Sequence, residues 1–347
     1  MLRFRRLEEK QIPWERLDAF DDRIVFQTRE WLQFIAETQK ATIVVAEIHD
    51  GDTLAGYFSG LEVRKVGVRT LGSAFPGWTT PYIGFNLLPG FTRAQMLEPL
   101  RHWVFNELGC LHMEVCDWGF RRENTGAGEF EATAYESYIS DLTRPEDELF
   151  GAMESACRRC IRKAEKTGVT VEHASDLEFA DEYYEQLKDV FAKQGRVPTY
   201  DVERVRSLVK HMRSTGRVLL VRARNPEGRC IATGIYPAMK EVAYFWGNAS
   251  WRSDQHYRPN EFLHWYAMRY WKSQGVAAFD WGGGGSYKEK YGVTPLSVPW
   301  LYKSKYRFIS VARNEARALY YRSQRLIGKL KGVPDPAQRA AVGESDN

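Results

Sequence analysis

The chain is short of cysteine, has no long hydrophobic run and carries little net charge. Its 347 residues include only five cysteines, an odd number that argues against a disulfide framework and favours a reducing compartment. Nowhere do the roughly eighteen uncharged apolar residues of a membrane-spanning helix follow one another, and residues 1–10 lack the apolar core of a signal peptide. We therefore expect a cytoplasmic protein without an integral membrane segment.

The net charge of +4 is too small to indicate a nucleic-acid-binding protein by itself, but the basic residues are unevenly distributed. Segment 303–331 contains nine Lys or Arg and a single acidic residue, Glu315. We predict a basic helix over 310–331, which could bind an anionic partner or simply present a solvated face. The polar, proline-bearing tail over 332–347 is expected to be disordered.

The most unusual stretch of the sequence runs from Gly275 to Gly292. Gly275 ends a helical pattern, 276–281 has the composition of a buried strand, and four consecutive glycines then precede Lys288 and Lys290. Contiguous glycines can bring bare backbone N–H groups close to a bound group. The glycine spacing fits neither a phosphate loop nor a dinucleotide-binding fingerprint, and a flexible surface turn is the alternative interpretation.

The order of predicted elements repeats in the two halves of the chain. The first half shows two strands over 42–48 and 53–66, a helix over 92–108 and a strand over 110–116. The second half shows strands over 218–223, 230–236 and 242–248, a helix over 260–273 and a strand over 276–281. This repetition predicts two related units of the α/β class (α+β mixed sheets), covering 1–140 and 141–309, each with a mixed central sheet flanked by helices.

A helix between the two halves combines an apolar stripe with a basic face. Thr143-Arg-Pro-Glu146 predicts its start as a capping box, and Gly168 predicts its end. Because Cys157 and Cys160 fall on the apolar stripe and no second pair exists, core packing is favoured over zinc or redox chemistry. The opposite face suits a phosphate group or is simply solvated, and it carries Arg158, Arg159, Arg162, Lys163 and Lys166.

The pattern resembles the FemAB-like aminoacyltransferases and the related acetyltransferases, which are built from GNAT units, often in tandem. The resembling stretches are 158–169, 257–265 and 275–292, and Tyr287-Lys-Glu-Lys-Tyr-Gly292 is similar to the family's aromatic-Lys-x-x-aromatic-Gly ending. Together with the duplicated order they cover residues 20–305. The resemblance implies two tandem GNAT-like domains that transfer an acyl group to an amine by direct attack, without a covalent intermediate, a metal or a bound cofactor.

The resemblance leaves open which acyl donor is the co-substrate. GNAT enzymes that use CoA cradle its pyrophosphate in a glycine-bearing loop, but the corresponding segment here, 249–260, contains no glycine. We therefore expect aminoacyl-tRNA, with acetyl-CoA as the alternative, and a small-molecule, peptide-like or cell-wall-precursor amine as the acceptor. A third hypothesis is a non-catalytic binding protein that has kept the GNAT fold.

The resemblance assigns the main catalytic contribution to Lys288, whose ammonium would stabilise the oxyanion, with Asp280 as the second catalytic candidate. Lys290 points the other way in an extended segment and should matter less. No metal site is expected, because His256 and His264 have no carboxylate at ligand spacing. The predicted substrate-binding residues are Arg158, Arg162, Lys163, Trp246, Tyr257, Asn260, Gly283, Gly284 and Tyr287.

Overall fold

The computed structural model of the chain describes residues 1–65, 67–121, 130–192 and 197–310. The tail predicted over 332–347 and all but the first residue of the helix predicted over 310–331 lie outside the described residues. The described strands are β1 (Leu2–Arg6), β2 (Thr42–Asp50), β3 (Thr53–Lys65), β4 (Val68–Gly72), β5 (Gly84–Leu87), β6 (His112–Cys116), β7 (Glu131–Asp141), β8 (Thr170–His173), β9 (Val218–Arg224), β10 (Cys230–Met239), β11 (Val242–Tyr244), β12 (Gly247–Ser250), β13 (Ala278–Asp280) and β14 (Thr294–Ser304). The described α-helices are α1 (Trp14–Ala19), α2 (Arg29–Gln39), α3 (Arg93–His102), α4 (Glu146–Ala152), α5 (Ser155–Lys166), α6 (Phe179–Ala192), α7 (Val202–Met212) and α8 (Pro259–Ser273).

The strands form one continuous mixed sheet that runs through both halves of the chain. The strand order is β1-β2-β3-β4-β6-β14-β7-β13-β11-β10-β9-β8, with β5 beside β3 and β12 beside β10. Parallel pairs occur at β4–β6 and β11–β13, and the other pairs of strands are antiparallel. This mixed sheet flanked by helices confirms the predicted α/β class.

The two halves meet through β7 and β14. Strand β14 lies between β6 and β7 and pairs antiparallel with both, although it belongs to the end of the second half and β6 to the first. Strand β7, which ends at the predicted boundary near residue 140, pairs with β14 on one side and β13 on the other. The sheet therefore passes from one half to the other without a break.

Helices cover both faces of the sheet and pack against a hydrophobic cluster on each face. Helix α7 of the second half packs against α2 of the first, and their buried side chains belong to the same hydrophobic cluster. Helices α5 and α8 pack together over a second cluster on the opposite face. Cys157 is buried in that second cluster, which confirms the core-packing interpretation for this residue, and Cys160 is half-buried.

The single linking helix predicted from Thr143 to Gly168 is wrong, because the chain forms two helices, α4 and α5. The helical path breaks at Met153, where the N–H of Glu154 donates to the carbonyl of Lys290 at 2.9 Å. The predicted capping box is also absent, since the Thr143 hydroxyl donates to Asp141 Oδ1 at 2.6 Å and Pro145 occupies the N-cap. A tertiary hydrogen bond to the segment after the glycines thus overrides the local helical pattern.

Candidate functional site

Two neighbouring parallel strands separate at the centre of the second half. The prediction of one strand over 242–248 is wrong, because β11 pairs with β13 only as far as Tyr244. The N–H of Phe245 still donates to Asp280 O at 2.8 Å, and β12 then pairs with β10 alone. The chain after β13 turns away instead, so that a wedge opens between β12 and the glycine segment. We call this opening the splay.

Strand β12 presents unpaired backbone groups to the splay. The N–H of Trp251 donates to Ile231 O at 3.1 Å on β10, and antiparallel pairing alternates from there along the strand. The N–H groups of Asn248 and Ser250 are therefore directed away from β10, toward the open side. No backbone or side-chain acceptor for them is found among the described residues. The splay can thus receive a carbonyl-bearing group.

Glycine is required where the chain leaves β13. Gly282 has a φ of +63°, and a Cβ added to it would lie 2.7 Å from the Phe245 carbonyl oxygen. Gly283 has a φ of +75°, also in the left-handed region. These two glycines let the chain turn tightly beside the last hydrogen bond of β11. Gly284 and Tyr287 follow on the exposed rim of this segment.

Lys288 holds the turn together from inside. Its residue is only 3% exposed, and its Nζ donates to the carbonyls of Trp281, Gly282 and Gly283 at 2.7, 2.6 and 2.8 Å. Burial lowers its pKa to about 8, and the nearby Asp280 carboxylate partly opposes that shift. Because an ammonium has three N–H donors, all three are engaged by backbone carbonyls. The expectation that Lys288 points its charge at a donor carbonyl therefore does not match this geometry.

Asp280 is the buried carboxyl group at the base of the splay. Its Oδ1 accepts hydrogen bonds from Ser137 Oγ at 2.5 Å and from the Gly282 N–H at 2.8 Å. Its Oδ2 has no hydrogen-bond partner among the described residues, and the same holds for the buried hydroxyls of Tyr82 and Tyr244. Burial raises the pKa of Asp280, while the hydrogen bonds from Ser137 and Gly282 favour the carboxylate.

The position of Asp280 follows from strand pairing. Because side chains alternate across a sheet, Tyr244, Asp280 and Ser137 face the same side, toward the helices α2, α6 and α7. Tyr135, two residues before Ser137, also faces this side, and its hydroxyl lies beside Gly283, where an added Cβ would be 3.5 Å from it. Burial raises the pKa of the Tyr82 phenol well above its ordinary value, and the charge of Asp280 adds to that rise.

A cavity of about 270 Å³ opens on this same face of the sheet. One wall is the loop over 75–81, and the floor is formed by side chains of β6, β7 and β14. Tyr135 lines the cavity, and its ring packs against Tyr82 at a centroid distance of 5.4 Å. Glu114 contributes a carboxylate that accepts a hydrogen bond from Trp300 Nε1 at 2.9 Å. The cavity thus borders the Tyr82–Asp280 group.

The opposite face of the splay is an aromatic box around His264. The imidazole Nδ1 lies 2.9 Å from the Tyr236 hydroxyl, and the rings of Phe245, Trp281 and Tyr291 surround it. Burial lowers the pKa of His264 to about 3, and the charges of Lys290 and Lys288 act in the same direction. The imidazole is therefore neutral near physiological pH.

The segment before α8 adopts a glycine-like conformation without containing glycine. Arg258 has a φ of +61° and immediately precedes Pro259 at the start of the helix. Asn260 lies in the first turn, where its Oδ1 is buried and has no partner among the described residues. Tyr257 is half-buried beside them. The first turn of α8 can therefore approach a polar group in the splay.

The predicted basic row is only partly available for binding. Arg158 Nη1 donates to Gly151 O at 2.6 Å and to Met153 O, so that it satisfies carbonyls at the end of α4. Arg162 and Lys163 are exposed, and the Arg162 guanidinium lies 5.2 Å from the Phe150 ring centroid. The exposed basic residues of α5 are Arg159, Arg162, Lys163 and Lys166, which we call the basic face, and the exposed Glu165 lies among them.

The structure brings Asp280, Gly283 and Lys288 together at the splay and places Trp246 on the sheet face that carries α6 and α7. Sequence reasoning missed the residues contributed by other parts of the chain, namely Tyr82, Tyr135 and Ser137. Nothing local distinguishes these side chains from ordinary core residues. No group of His, Cys, Asp and Glu within the described residues could hold a metal ion. No helix of the described chain has the length and apolar character needed to cross a membrane.

Comparisons with known proteins agree with this architecture. Residues 152–291, which contain the splay, match the family model of the acetyltransferase (GNAT) domain. A crystal structure of FemX is similar with a TM-score of 0.70 at 12% identity, covering 86% of this chain and 96% of that chain. The structure of L-PGS from Bacillus licheniformis is similar with a TM-score of 0.53 at 12% identity, covering 85% of this chain and 97% of that chain.

A third similar structure is the C-terminal domain of a putative lysylphosphatidylglycerol synthetase from Agrobacterium fabrum. Its TM-score is 0.53 at 10% identity, and the match covers 82% of this chain and 91% of that domain. No curated protein sequence matches the chain significantly. The domain match confirms the predicted resemblance and the assignment as a transferase, and the similar structures share the fold.

Proposed function

Because the second half of the chain is a GNAT acyltransferase domain within a FemX-like fold, we propose that the protein transfers an aminoacyl group from aminoacyl-tRNA to the amine of a peptide-like acceptor. The observation that carries this proposal is the splay, which opens beside the buried carboxyl of Asp280 and the adjoining cavity. The donor would enter from the side of α5 and α8, and the acceptor would occupy the cavity on the opposite face.

The open edge of β12 provides the site for the donor carbonyl. Backbone N–H groups at Asn248 and Ser250 would bind the carbonyl oxygen and stabilise the negative charge that it gains as the amine attacks. Such groups are fixed by the sheet and need no reorganisation during the reaction. The Asn260 amide, in the first turn of α8, would help to orient the donor.

Asp280 is the proposed proton acceptor. The amine nitrogen forms a bond to the carbonyl carbon and its proton passes to the carboxylate. The bond between that carbon and the tRNA ribose oxygen then breaks, and the ribose oxygen takes up this proton and leaves as a hydroxyl. Burial raises the pKa of Asp280 toward the range in which a general base works at neutral pH. The Tyr82 hydroxyl, beside Asp280 Oδ2, would carry the proton between the cavity and the carboxylate.

Lys288 is proposed to act on the reaction through the glycine turn. Its three hydrogen bonds fix the carbonyls of the turn, and the turn places the Gly282 N–H on Asp280 and Gly283 beside the Tyr135 hydroxyl. Lys288 is therefore a positioning residue in this proposal. Lys290 pairs with Glu261 at 2.7 Å and takes no part.

Three observations favour aminoacyl-tRNA as the donor. The basic face of α5 presents exposed cations on the side of the sheet from which the donor would enter. The segment over 249–260 also lacks the glycines of a pyrophosphate loop. One similar structure comes from a putative lysylphosphatidylglycerol synthetase, whose name describes attachment of an aminoacyl group.

Acetyl-CoA is the second candidate donor, and it rests on the conformation of Arg258. With a φ of +61°, this residue supplies the left-handed turn that glycine usually provides before the helix. A binding measurement distinguishes the two donors. We expect charged tRNA to raise the midpoint of thermal unfolding and acetyl-CoA to leave it unchanged, and the reverse pattern would replace the first candidate with the second. If neither donor is bound or turned over with a broad amine panel, the fold serves a non-catalytic binding function.

A further inference from the structure

One wall of the cavity is held in place by an arginine from the other half of the chain. Arg204 lies on α7, is 5% exposed, and reaches the loop over 75–81 of the first half. Its Nη2 donates to the Trp78 carbonyl and to Thr79 Oγ1, the latter at 3.0 Å. Its guanidinium also lies 5.4 Å from the ring centroid of Tyr200. The position of the cavity wall therefore depends on a contact from the GNAT domain.

The residue that Arg204 contacts is conformationally strained. Thr79 has a φ of +52°, in the left-handed region that a β-branched residue rarely adopts, and it lines the cavity. Such a conformation persists only where the surroundings hold it. On the other side of the strained residue, Thr80 Oγ1 accepts a hydrogen bond from Trp31 Nε1 at 3.0 Å. Arg204 and Trp31 thus hold the loop on both sides of Thr79.

The same arginine is connected to the splay. The Tyr200 hydroxyl lies 3.0 Å from the Tyr183 hydroxyl. Tyr183 in turn packs against Gly247 of β12 so closely that a Cβ added there would lie 2.2 Å from its hydroxyl. A continuous path of contacts therefore runs from the open strand of the splay, through two tyrosines and Arg204, to the strained residue of the cavity wall.

The charge of Arg204 is poorly compensated for a buried guanidinium. Within the part of the chain that the structure describes, no carboxylate forms a salt bridge with it, and its Nε has no hydrogen-bond partner. Burial lowers its pKa, against smaller effects of Tyr200 and Asp201 that raise it. Because burying an unpaired charge is unfavourable, the contacts with the loop are the main compensation that Arg204 receives.

We propose that Arg204 is a positioning residue that keeps the cavity wall at Thr79 aligned with the splay. The geometry of this link stands on its own contacts, and the assignment of the cavity to the acceptor and the splay to the donor rests on the proposed function. In this role Arg204 sets how well the acceptor is held, without touching the reacting atoms.

The test compares Arg204→Gln with Arg206→Gln in the full chain. Arg206 is on the same helix but exposed, where it pairs with Asp181 and Glu203, and so it serves as the matched control. We expect R204Q to accelerate hydrogen exchange of the amides over 77–80 and to raise the acceptor KM, each by about tenfold. The donor KM and kcat should stay within about twofold, and R206Q should match the wild type.

A rescue variant separates positioning from general destabilisation. Thr79→Gly adopts the left-handed conformation without strain, so adding it to R204Q should restore most of the acceptor KM and slow the exchange again. The proposal is overturned if exchange over 77–80 is unchanged in R204Q. It is also overturned if T79G gives no rescue, because the loss is then structural. Hydrogen exchange over 77–80 in R204Q, with and without T79G, tests the positioning role even if no donor is turned over. A failure of the proposed function can therefore be told apart from a failure of this proposal.

Discussion

Replacing Lys288 with Met tests whether the buried ammonium organises the glycine turn. Met has a similar length and fills the same space, but it cannot donate to the three carbonyls that Lys288 now binds at 2.6–2.8 Å. The turn carries the N–H of Gly282, which donates to Asp280, and places Gly283 beside the Tyr135 hydroxyl. Loss of the ammonium should therefore affect both stability and turnover.

The magnitude follows from two opposing contributions. Each buried carbonyl that loses its donor costs about 1–3 kcal/mol, so three such losses amount to roughly 3–9 kcal/mol. Removing the buried charge returns part of this, because the drop in the pKa of Lys288 from 10.5 to about 8 corresponds to about 3 kcal/mol of unfavourable burial. The difference is about 0–6 kcal/mol, so the expected net loss in the free energy of unfolding is centred near about 3 kcal/mol.

The assay is urea unfolding of K288M, K288R and K290M, followed by turnover with the donor identified for the wild type. We expect K288M to unfold at a lower urea concentration and to lose about 100-fold or more in turnover, with little change in donor affinity. K290M should keep turnover near the wild type and lose less stability than K288M, since Lys290 forms one partly buried ion pair with Glu261 and no contact with the glycine turn. The guanidinium of K288R still offers N–H donors to the turn, so this variant should lie between K288M and K290M in stability and turnover.

The pH dependence of turnover tests whether the protonated form of Lys288 is the active one. With a pKa of about 8, the Lys288 ammonium loses its proton as the pH rises through that value, and one of the three donors to the turn disappears. Turnover should fall on the alkaline side with a midpoint near 8, and K288R should remove this decrease. A K288M variant as stable as the wild type, with full turnover, would refute the reasoning.

Three further predictions follow from the same residues. Asp280→Asn should lower turnover about 100-fold to 10,000-fold with unchanged donor binding, and a smaller effect would remove Asp280 as the base. The pKa of His264 is about 3 in the folded state and near 6.5 when unfolded, so only the unfolded chain binds this proton between the two values. The free energy of unfolding should therefore fall by a few kcal/mol as the pH drops below 6.5. Denaturant titrations at several pH values should show a flatter pH dependence for His264→Gln. Replacing Arg162 and Lys163 together should reduce the slope of log binding constant for tRNA against log salt concentration by about two. Arg158→Ala should instead lower stability, because Arg158 binds carbonyls at the end of α4. Equal slopes in all variants would show that the basic face is only a solvated surface.

The part of the second half from α8 to the glycine segment could be predicted because its signals are local. A helix stop at Gly275, the strand before the glycines and the helix before Gly275 are each determined by neighbouring residues, and the structure places them within a few residues of the predicted bounds. The linking helix failed because a hydrogen bond from Glu154 to Lys290, distant in sequence, decides where it breaks. Local patterning contains no information about that contact.

The pairing that builds the candidate site could not be predicted. Strand β14 contains Pro295 and Pro299, and proline within a run normally argues against a central strand. Both prolines precede Trp300, where pairing with β6 begins, so their missing N–H groups lie where β14 has a strand on one side only. The buried partners of Asp280 come from this pairing and from the first half, and only the three-dimensional arrangement brings them together.

The most direct test of the account is to identify the acylated product. The purified protein would be incubated with a mixture of aminoacyl-tRNAs and, separately, with acetyl-CoA, each in the presence of the same panel of peptide amines, and the products would be analysed by mass spectrometry. The account predicts an amine that has gained an amino-acid residue from tRNA in the wild type and its loss in Asp280→Asn. An acetylated amine formed from acetyl-CoA alone, or product formation that is independent of Asp280, would contradict it.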